Sequence, residues 1–396
     1  MSLFRTLQSF KKSLSSYQPL IEVRIDRAKL IQNLREYQKK APGVNVAPVL
    51  KSNAYGHGLI PVAQTLDPFI CEDKKRSKAS FFVVDSLYEA QQLRLEGIRA
   101  KIVVIGYTPL PNILSNRLKH VAFTIISLAE LKTLALKKPT SFHLKIDTGM
   151  HRQGLLLQEI EPAIQILKSN PKIRLEGVCS HFADADGEDE KFTQKQIHAW
   201  EKALELFKPH FSTIEFTHLS NTPGAKFADR IAANTMRVGI GLFSGVLEIH
   251  SVVSGVKTIE PGDCVGYGCT FRAEKIMRIA TIPAGFFEGI DRRLSNQGFV
   301  KIRDRFCPII GRVSMNITSV DVSAFLDINV GEKVIIRSAN SKDPNSIENI
   351  AKMCNTVPYE ILVQVPSQLR RILIGQNSTS NPTLISDPID VIIGRF

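Results

Sequence analysis

A repeated alternation between strand-like and helix-like segments is the feature that most constrains the fold of this chain. Short runs rich in Val, Ile and Phe recur through the first 245 residues, and segments with apolar side chains at helical spacing separate most of them. The strand candidates are 46–50, 80–85, 101–106, 121–126, 141–147, 173–180, 213–218 and 236–240. Eight strands with crossover helices predict an α/β fold, and we expect an N-terminal (β/α)8 barrel of the TIM type rather than an open sheet.

The character of the sequence changes after about residue 245. Short Val- and Ile-rich runs broken by Gly, Pro and Asp follow one another from there, which indicates a second, mostly β domain. We therefore predict an N-terminal extension at 1–18, a barrel domain at 19–245 and a C-terminal β domain at 246–396.

The composition argues against two classes of partner. The net charge is +13, but the basic residues are scattered among acidic ones, and the short basic cluster at 74–78 lacks the alternating aromatic residues of a nucleic-acid platform. No apolar run reaches the roughly 18 residues that a membrane-spanning helix needs.

The six cysteines form no CxxC pair of the metal or redox kind, so we expect no metal site and a cytoplasmic location.

One lysine stands where a barrel enzyme places its reactive groups. The apolar run 46–50 leads into Lys51 and then into a turn bracketed by Gly56 and Gly58. The carboxyl ends of barrel strands form the catalytic face, and a desolvated lysine amine there is a nucleophile that can form a Schiff base. Taken alone, a lysine whose charged end reaches water is a comparable interpretation.

The residues that follow Lys51 carry a family resemblance. The segment KSNAYGHG at 51–58 is similar to the cofactor-lysine motif of the alanine racemases, and the resemblance extends over residues 20–375. It implies a racemase that depends on pyridoxal 5′-phosphate (PLP), with the cofactor on Lys51, in a head-to-tail homodimer. It also implies that a strand at 21–25 belongs with the second domain.

A second motif implies the substrate contact. The segment KIDTGMHRQG at 145–154 is similar to the family pattern KxDTGMxRxG. By this match Arg152 contacts the substrate carboxylate, which a planar guanidinium can hold with two hydrogen bonds. Lys145 is then the position that the family often carries as a carbamate, an anion able to hold Arg152. Without the motif, Arg152 would be interpreted as part of an ordinary surface ion pair.

Two further motifs imply the environment of the cofactor ring. The segment CSHFADAD at 179–186 resembles the family's SHFAxAD and implies that His181 links an arginine to a catalytic tyrosine. That arginine is Arg237, in the segment MRVGIGL at 236–242, and the resemblance implies that it faces the pyridine nitrogen. A guanidinium keeps its proton, so the ring nitrogen stays unprotonated and transamination is suppressed.

The cofactor phosphate has its own implied ligands. The segment HLSNT at 218–222 matches the family's HxxNS, with Thr in place of Ser. The residues implied to bind the phosphate or to lie beside it are Tyr55, Asn221, Thr222, Gly239, Ile240 and Tyr359. Each tyrosine taken singly would be interpreted as core packing with a satisfied hydroxyl.

Tyr267 is implied to be the second catalytic residue. The segment DCVGYGCTF at 263–271 resembles the family segment that carries this tyrosine. Racemisation needs an acid or base on each face of a planar intermediate, so Lys51 requires an opposing partner. A chain of hydrogen bonds through His181 to Arg237 would stabilise the deprotonated tyrosine. In the family this tyrosine comes from the other subunit, which makes the dimer part of the active site.

Two further positions depart from the family pattern. Phe286 stands where a tyrosine is common, and Asn316, next to the implied substrate contact Met315, stands where an aspartate is usual. Both departures leave Lys51 and Tyr267 in place, but they leave serine or a broader set of amino acids as alternative substrates to alanine.

Two other functions share part of the pattern. PLP-dependent barrel decarboxylases have a strand-end lysine but usually place a carboxylate at the pyridine nitrogen, so Arg237 argues against them. A non-catalytic PLP-binding protein is a lone barrel, so the second domain with Tyr267 argues against it. The preferred prediction is reversible interconversion of L-alanine and D-alanine, which in the family supplies D-alanine to the bacterial cell wall.

Overall fold

Two compact units make up the chain. The computed structural model describes residues 18–71, 80–135, 140–170, 173–211 and 214–375. One unit is Arg27–Ser244, and the other combines the residues up to Asp26 with those from Gly245 onward. The predicted extension at 1–18 lies, apart from residue 18, outside the described residues.

The first unit is a barrel of parallel strands. After β1 (Glu22–Asp26), which belongs to the second unit, the barrel strands are β2 (Asn45–Pro48), β3 (Phe81–Val84), β4 (Lys101–Val104), β5 (Val121–Ile125), β6 (Thr140–Lys145), β7 (Ile173–Cys179), β8 (Phe216–His218) and β9 (Thr235–Val238). The helices around them are α1 (Arg27–Lys40), α2 (Leu59–Cys71), α3 (Leu87–Leu95), α4 (Leu110–Ser115), α5 (Leu128–Ala135), α6 (Ile160–Ser169) and α7 (Lys191–Phe207).

Backbone hydrogen bonds between neighbouring strands close the barrel. Strands β3 to β8 pair in sequential order, and β2 pairs with β9. A parallel bridge between Val49 and Val83 joins β2 to β3. The amide of Asn234 donates to the carbonyl of Thr217 over 3.1 Å, which joins β8 to β9. The predicted (β/α)8 barrel is therefore confirmed.

The barrel strands are buried because helices cover their outer side. All four residues of β3 are apolar and buried, which is typical of a parallel strand with no solvent-facing side. Helix α3, which follows β3, begins with a capping box in which Ser86 and Glu89 satisfy each other's backbone amides.

The second unit is mostly β, as predicted. Its additional strands are β10 (Leu247–Val252), β11 (Gly255–Ile259), β12 (Cys264–Val265), β13 (Phe271–Arg272), β14 (Met277–Ile282), β15 (Phe299–Ile302), β16 (Arg305–Pro308), β17 (Thr318–Asp321), β18 (Lys333–Arg337) and β19 (Arg371–Ile374). They form a six-stranded sheet in the order β16-β15-β18-β10-β1-β19, a three-stranded sheet β11-β14-β17 and the pair β12-β13. Two short helices, α8 (Ile347–Met353) and α9 (Pro358–Val363), complete the unit.

Strand β1 marks where the two units divide. It pairs antiparallel with β10 and parallel with β19. The barrel unit therefore begins at Arg27 rather than at residue 19, and β1 belongs to the second unit, as the family resemblance implies. None of the helices in the described parts of the chain has the length and apolar composition that crossing a bilayer requires.

Candidate active site

Lys51 lies at the carboxyl end of β2 and begins a left-handed turn. The φ angles of Ser52, Asn53 and Ala54 are 57°, 56° and 51°, and Tyr55 follows with a φ of 52°. Residues with a Cβ atom seldom occupy this region, which costs roughly 1–2 kcal/mol per residue. Surrounding contacts must therefore hold the turn that presents Lys51.

Side chains of the same motif hold this turn. The side-chain oxygen of Asn53 accepts from the backbone amide of Leu59 over 2.8 Å, and the backbone amide of Asn53 donates to the Glu89 carboxylate over 3.3 Å. The Nδ1 of the fully buried His57 lies 3.0 Å from the carbonyl oxygen of Ala54 and 2.9 Å from that of Tyr55. Since carbonyl oxygens only accept, Nδ1 carries the hydrogen. The Asn and His of the lysine motif thus have a structural reason to be there.

Tyr55 and Thr222 converge beside two glycines. The amides of Gly239 and Gly241 donate to the Thr222 hydroxyl oxygen over 3.0 and 3.4 Å. Because this oxygen already accepts twice, its own hydrogen is available to a further acceptor. A Cβ atom on Gly239 would clash with the Tyr55 hydroxyl, so only glycine allows this approach.

The neighbouring segments shape the same cradle. Ile240 begins a single 3-10 turn, Ile240–Phe243. Asn221 accepts the amide of Gly224 over 2.9 Å and so fixes the loop after β8. Phe243 lies with its ring centroid 5.4 Å from that of Tyr55. Phe243 therefore helps to orient the tyrosine.

Arg237, on β9, is a buried cation surrounded by acceptors. Its Nη1 donates to the Nδ1 and the carbonyl oxygen of His218 over 2.6 and 2.8 Å. Its Nη2 donates to the carbonyls of Ser180 and Leu219 over 2.6 and 3.1 Å, and to the Nδ1 of His181 over 3.0 Å. These bonds compensate the burial of the charge, which is 6% exposed.

His181 is neutral and offers one hydrogen. Burial, followed in decreasing order by the positive charges of Arg237, Arg152, Lys145 and Lys51, lowers its pKa to about 2. These four cations therefore lie around one imidazole. Because Arg237 donates to Nδ1, the hydrogen of His181 is on Nε2.

Lys145 ends β6 and is half-buried. Its Nζ donates to the Gln153 side-chain oxygen over 3.4 Å. Burial lowers the pKa of Lys145, and the positive charge of Arg152 acts in the same direction. Gly154, with a φ of 124°, lets the chain fold back so closely that a Cβ atom there would lie 2.7 Å from the Asp147 amide. Arg152 itself is exposed.

Tyr267 lies in the second unit on the short turn Tyr267–Cys269 and is 71% exposed. Gly266 and Gly268 flank it with φ angles of 72° and 73°. A Cβ atom on Gly268 would lie 3.4 Å from the Arg312 guanidinium, so the turn lies against Arg312 while the tyrosine ring faces outward.

Met315 and both departures from the family pattern also lie in the second unit. Met315 is 58% exposed and Phe286 is 43% exposed. Asn316 donates from its side-chain amide to the Glu288 carboxylate over 2.6 Å. An aspartate at 316 would place two carboxylates in contact, which explains why asparagine suits this chain. Tyr359, on α9, is 40% exposed.

The structure thus groups the candidates by unit. The barrel unit contains Lys51, Tyr55, Lys145, Arg152, His181, Asn221, Thr222, Arg237, Gly239 and Ile240, and the second unit contains Tyr267, Met315 and Tyr359. Sequence reasoning missed Glu89 and His143, for which no motif gave a signal, and gave His218 no role although it stands in the HLSNT match. In the described residues, no group of His, Cys, Asp and Glu side chains is arranged to hold a metal ion.

Comparisons with known proteins match alanine racemases along most of the chain. The family model for the alanine racemase N-terminal domain matches residues 25–246, and the model for the alanine racemase C-terminal domain matches 246–373. The alanine racemase of Syntrophobacter fumaroxidans is 34% identical over 363 residues, which cover 87% of this chain and 94% of the relative. That of Staphylococcus carnosus is 31% identical over 374 residues, covering 88% and 94%.

Solved structures have the same fold. The alanine racemase of Bacillus anthracis with bound L-Ala-P is 25% identical, with a TM-score of 0.83 over 95% of this chain and 99% of that one. The alanine racemase of Bartonella henselae with covalently bound pyridoxal phosphate is 23% identical, with a TM-score of 0.78 over 90% and 100%. With both domain models matched and relatives above 30% identity along most of its length, the chain belongs to the alanine racemase family.

Proposed function

We propose that this chain interconverts L-alanine and D-alanine with PLP bound covalently to Lys51. The observation that supports this most is the buried Arg237, held only by acceptors, in the same group of cations as Lys51. A guanidinium beside the cofactor ring favours racemisation over decarboxylation, because it leaves the ring a weaker electron sink.

The residues present fit PLP. The hydroxyls of Tyr55 and Thr222 and the glycine-rich turn at 239–241 supply donors and space for a phosphate, and a Cβ atom at Gly239 would fill part of that space. Lys51 supplies the amine and Arg237 a donor to the pyridine nitrogen. When bound, PLP withdraws electrons from the substrate Cα, so that its proton becomes removable.

Two groups exchange the Cα proton from opposite faces. In the L-to-D direction Tyr267, supplied by the partner subunit of a homodimer, removes the proton, and Lys51 returns one on the other face. The Nε2–H of His181 donates to the phenolate oxygen and stabilises it, while Arg237 fixes the tautomer that makes this donation available. The 71% exposure of Tyr267 is consistent with a side chain available to a second subunit.

Arg152 holds the substrate carboxylate. The lowered pKa of Lys145 increases the fraction of uncharged amine, which is the form that reacts with carbon dioxide to give a carbamate. The carbamate would replace a cation beside Arg152 with an anion and so hold the guanidinium in place. Because Phe286 and Asn316 depart from the family pattern, serine is an alternative substrate, and the experiment below compares it with alanine.

The test is a spectrum followed by chiral analysis. Purified protein with PLP should show a visible absorbance band that borohydride abolishes, and it should convert L-alanine to D-alanine faster than L-serine to D-serine. Lys51→Ala should lose the band, whereas Tyr267→Phe should keep the band and lose racemisation. A band without D-product from either amino acid would refute the racemase function, and no band would refute PLP binding.

A further inference from the structure

Two fully buried histidines lie behind Arg237 in the interior of the barrel. His218 ends β8, and His143 lies on β6. The Nδ1 of His218 is 2.6 Å from Arg237 Nη1, and its Nε2 is 2.7 Å from the Nδ1 of His143. The three side chains therefore form one continuous hydrogen-bonded row.

The hydrogen positions in this row follow from its cationic end. A guanidinium only donates, so the Nδ1 of His218 accepts and its Nε2 carries the hydrogen. That Nε2–H donates to the Nδ1 of His143, whose own hydrogen is then on Nε2. Burial, followed by the charges of Lys101 and Arg237, lowers the pKa of His143 to about 3, and burial and Arg237 lower that of His218 well below its usual range. Both imidazoles stay neutral.

The far end of the row lies beside a second polar atom. Among the residues that the structure describes, the Nε2 of His143 and the Oγ1 of Thr124 are both buried without a hydrogen-bond partner. Thr124 on β5 is the register partner of His143, so the two side chains leave the sheet on the same side. A single internal water between Nε2 and Oγ1 would satisfy both atoms.

The barrel is shaped to hold an imidazole at position 143. A Cβ atom on Gly177, the register partner of His143 on β7, would lie 2.7 Å from the imidazole Nδ1. The ring lies between Phe81 and Phe216, with centroid distances of 5.4 and 5.8 Å. Its orientation toward His218 is therefore fixed by packing.

We propose that His143 is a positioning residue for Arg237, acting through His218, and that His143 and Thr124 bind the internal water that ends the row. By accepting from His218 Nε2, His143 selects the tautomer whose Nδ1 lone pair faces Arg237. Without that acceptor, the other tautomer becomes accessible and sets an N–H against the guanidinium N–H. The inference rests on the proposed function, in which Arg237 faces the cofactor ring.

The first test is nitrogen-15 NMR of the histidine rings in the PLP-loaded wild-type enzyme. His143 and His218, assigned from single His→Asn variants, should both appear as neutral imidazoles protonated at Nε2 between pH 6 and 8. Thr124→Val should shift the Nε2 signal of His143 and leave the His218 tautomer unchanged. A His218 protonated at Nδ1, or a cationic ring at either position, would overturn the proposal. Because these signals come from the wild-type enzyme, misfolding of a variant cannot account for such a result.

The second test pairs two substitutions at one position. The Asn side-chain oxygen occupies nearly the place of the imidazole Nδ1, so His143→Asn keeps the acceptor and His143→Leu removes it. His143→Leu should lower kcat by about fivefold to tenfold, as expected for one hydrogen bond, with a much smaller change in KM. His143→Asn should restore most of kcat.

A His143→Leu enzyme with wild-type kcat and an unshifted His218 signal would refute the positioning role. The two proposals fail separately. An inactive wild type whose histidines have the expected tautomers refutes only the racemase function, and an active one with a His218 Nδ1–H refutes only the positioning role.

Discussion

Replacing Ser52 with glycine should stabilise the protein, although glycine usually weakens a folded chain. Ser52 is exposed and has a φ of 57°, so the substitution changes the backbone preference and little else. Leaving the left-handed region relieves roughly 1–2 kcal/mol, and the extra freedom of glycine in the unfolded chain removes about 0.5–1 kcal/mol of that gain. We expect a net increase of about 0.5–1 kcal/mol in the free energy of unfolding.

Two control substitutions should lower the free energy of unfolding instead of raising it. Gln91 is exposed within α3, where glycine should destabilise by about 1 kcal/mol. Ser52→Val should destabilise by at least about 1 kcal/mol, because a β-branched residue is least tolerated at positive φ. The assay is urea unfolding of all variants at one protein and PLP concentration, followed by circular dichroism. If Ser52→Gly lowers the midpoint as Gln91→Gly does, the left-handed turn beside Lys51 is not formed.

Three further changes test the charges and the cofactor cradle. His143 takes up a proton near pH 6.5 in the unfolded chain, but only near its pKa of about 3 in the folded chain. Between these values, falling pH therefore lowers the free energy of unfolding by up to about 1.4 kcal/mol per pH unit. In an acid titration, His143→Asn should reduce this slope. Gly239→Ala should weaken PLP binding at least tenfold in a fluorescence titration, because its Cβ displaces the Tyr55 hydroxyl; unchanged affinity contradicts the cradle. Added bicarbonate should raise the activity of the wild type but not of Lys145→Gln, and an equal response of both would exclude the carbamate.

The sequence predicted the barrel because its signals are local. Each strand candidate is a short apolar run, and such runs are typical of parallel strands that are buried on both faces. The Lys51 turn could also be predicted, since one contiguous motif contains the lysine together with Asn53 and His57, whose side chains hold the turn. Local pattern alone did not assign strand β1 to the second unit. The family resemblance implied that assignment, and the pairing of β1 with β10 and β19 agrees with it.

The row behind Arg237 could not be predicted in this way. His143 and His218 are 75 residues apart, and nothing near His143 distinguishes it from a histidine at the surface. The register between β6 and β7 shifts by one residue between Phe142 and His143, which places Gly177 opposite His143 and leaves room for the ring, and these are properties of the assembled sheet. The contact between Asn316 and Glu288 could not be predicted either. The asparagine at 316, where the family usually has aspartate, is explained only by its 2.6 Å hydrogen bond to the Glu288 carboxylate.

The charges around His181 connect the fold to the proposed chemistry. Lys51, Lys145, Arg152 and Arg237 all lower the pKa of His181, and Arg152 and Arg237 also lower that of Lys145, so these cations repel one another in the folded chain. Burial reduces the screening of such repulsion by water. Each anion that the proposal brings here, a cofactor phosphate, a substrate carboxylate and a carbamate, offsets part of that repulsion. A site that holds its cations against repulsion is therefore arranged for anionic groups before they bind, and the row of neutral imidazoles supports the most deeply buried of these cations without adding another charge.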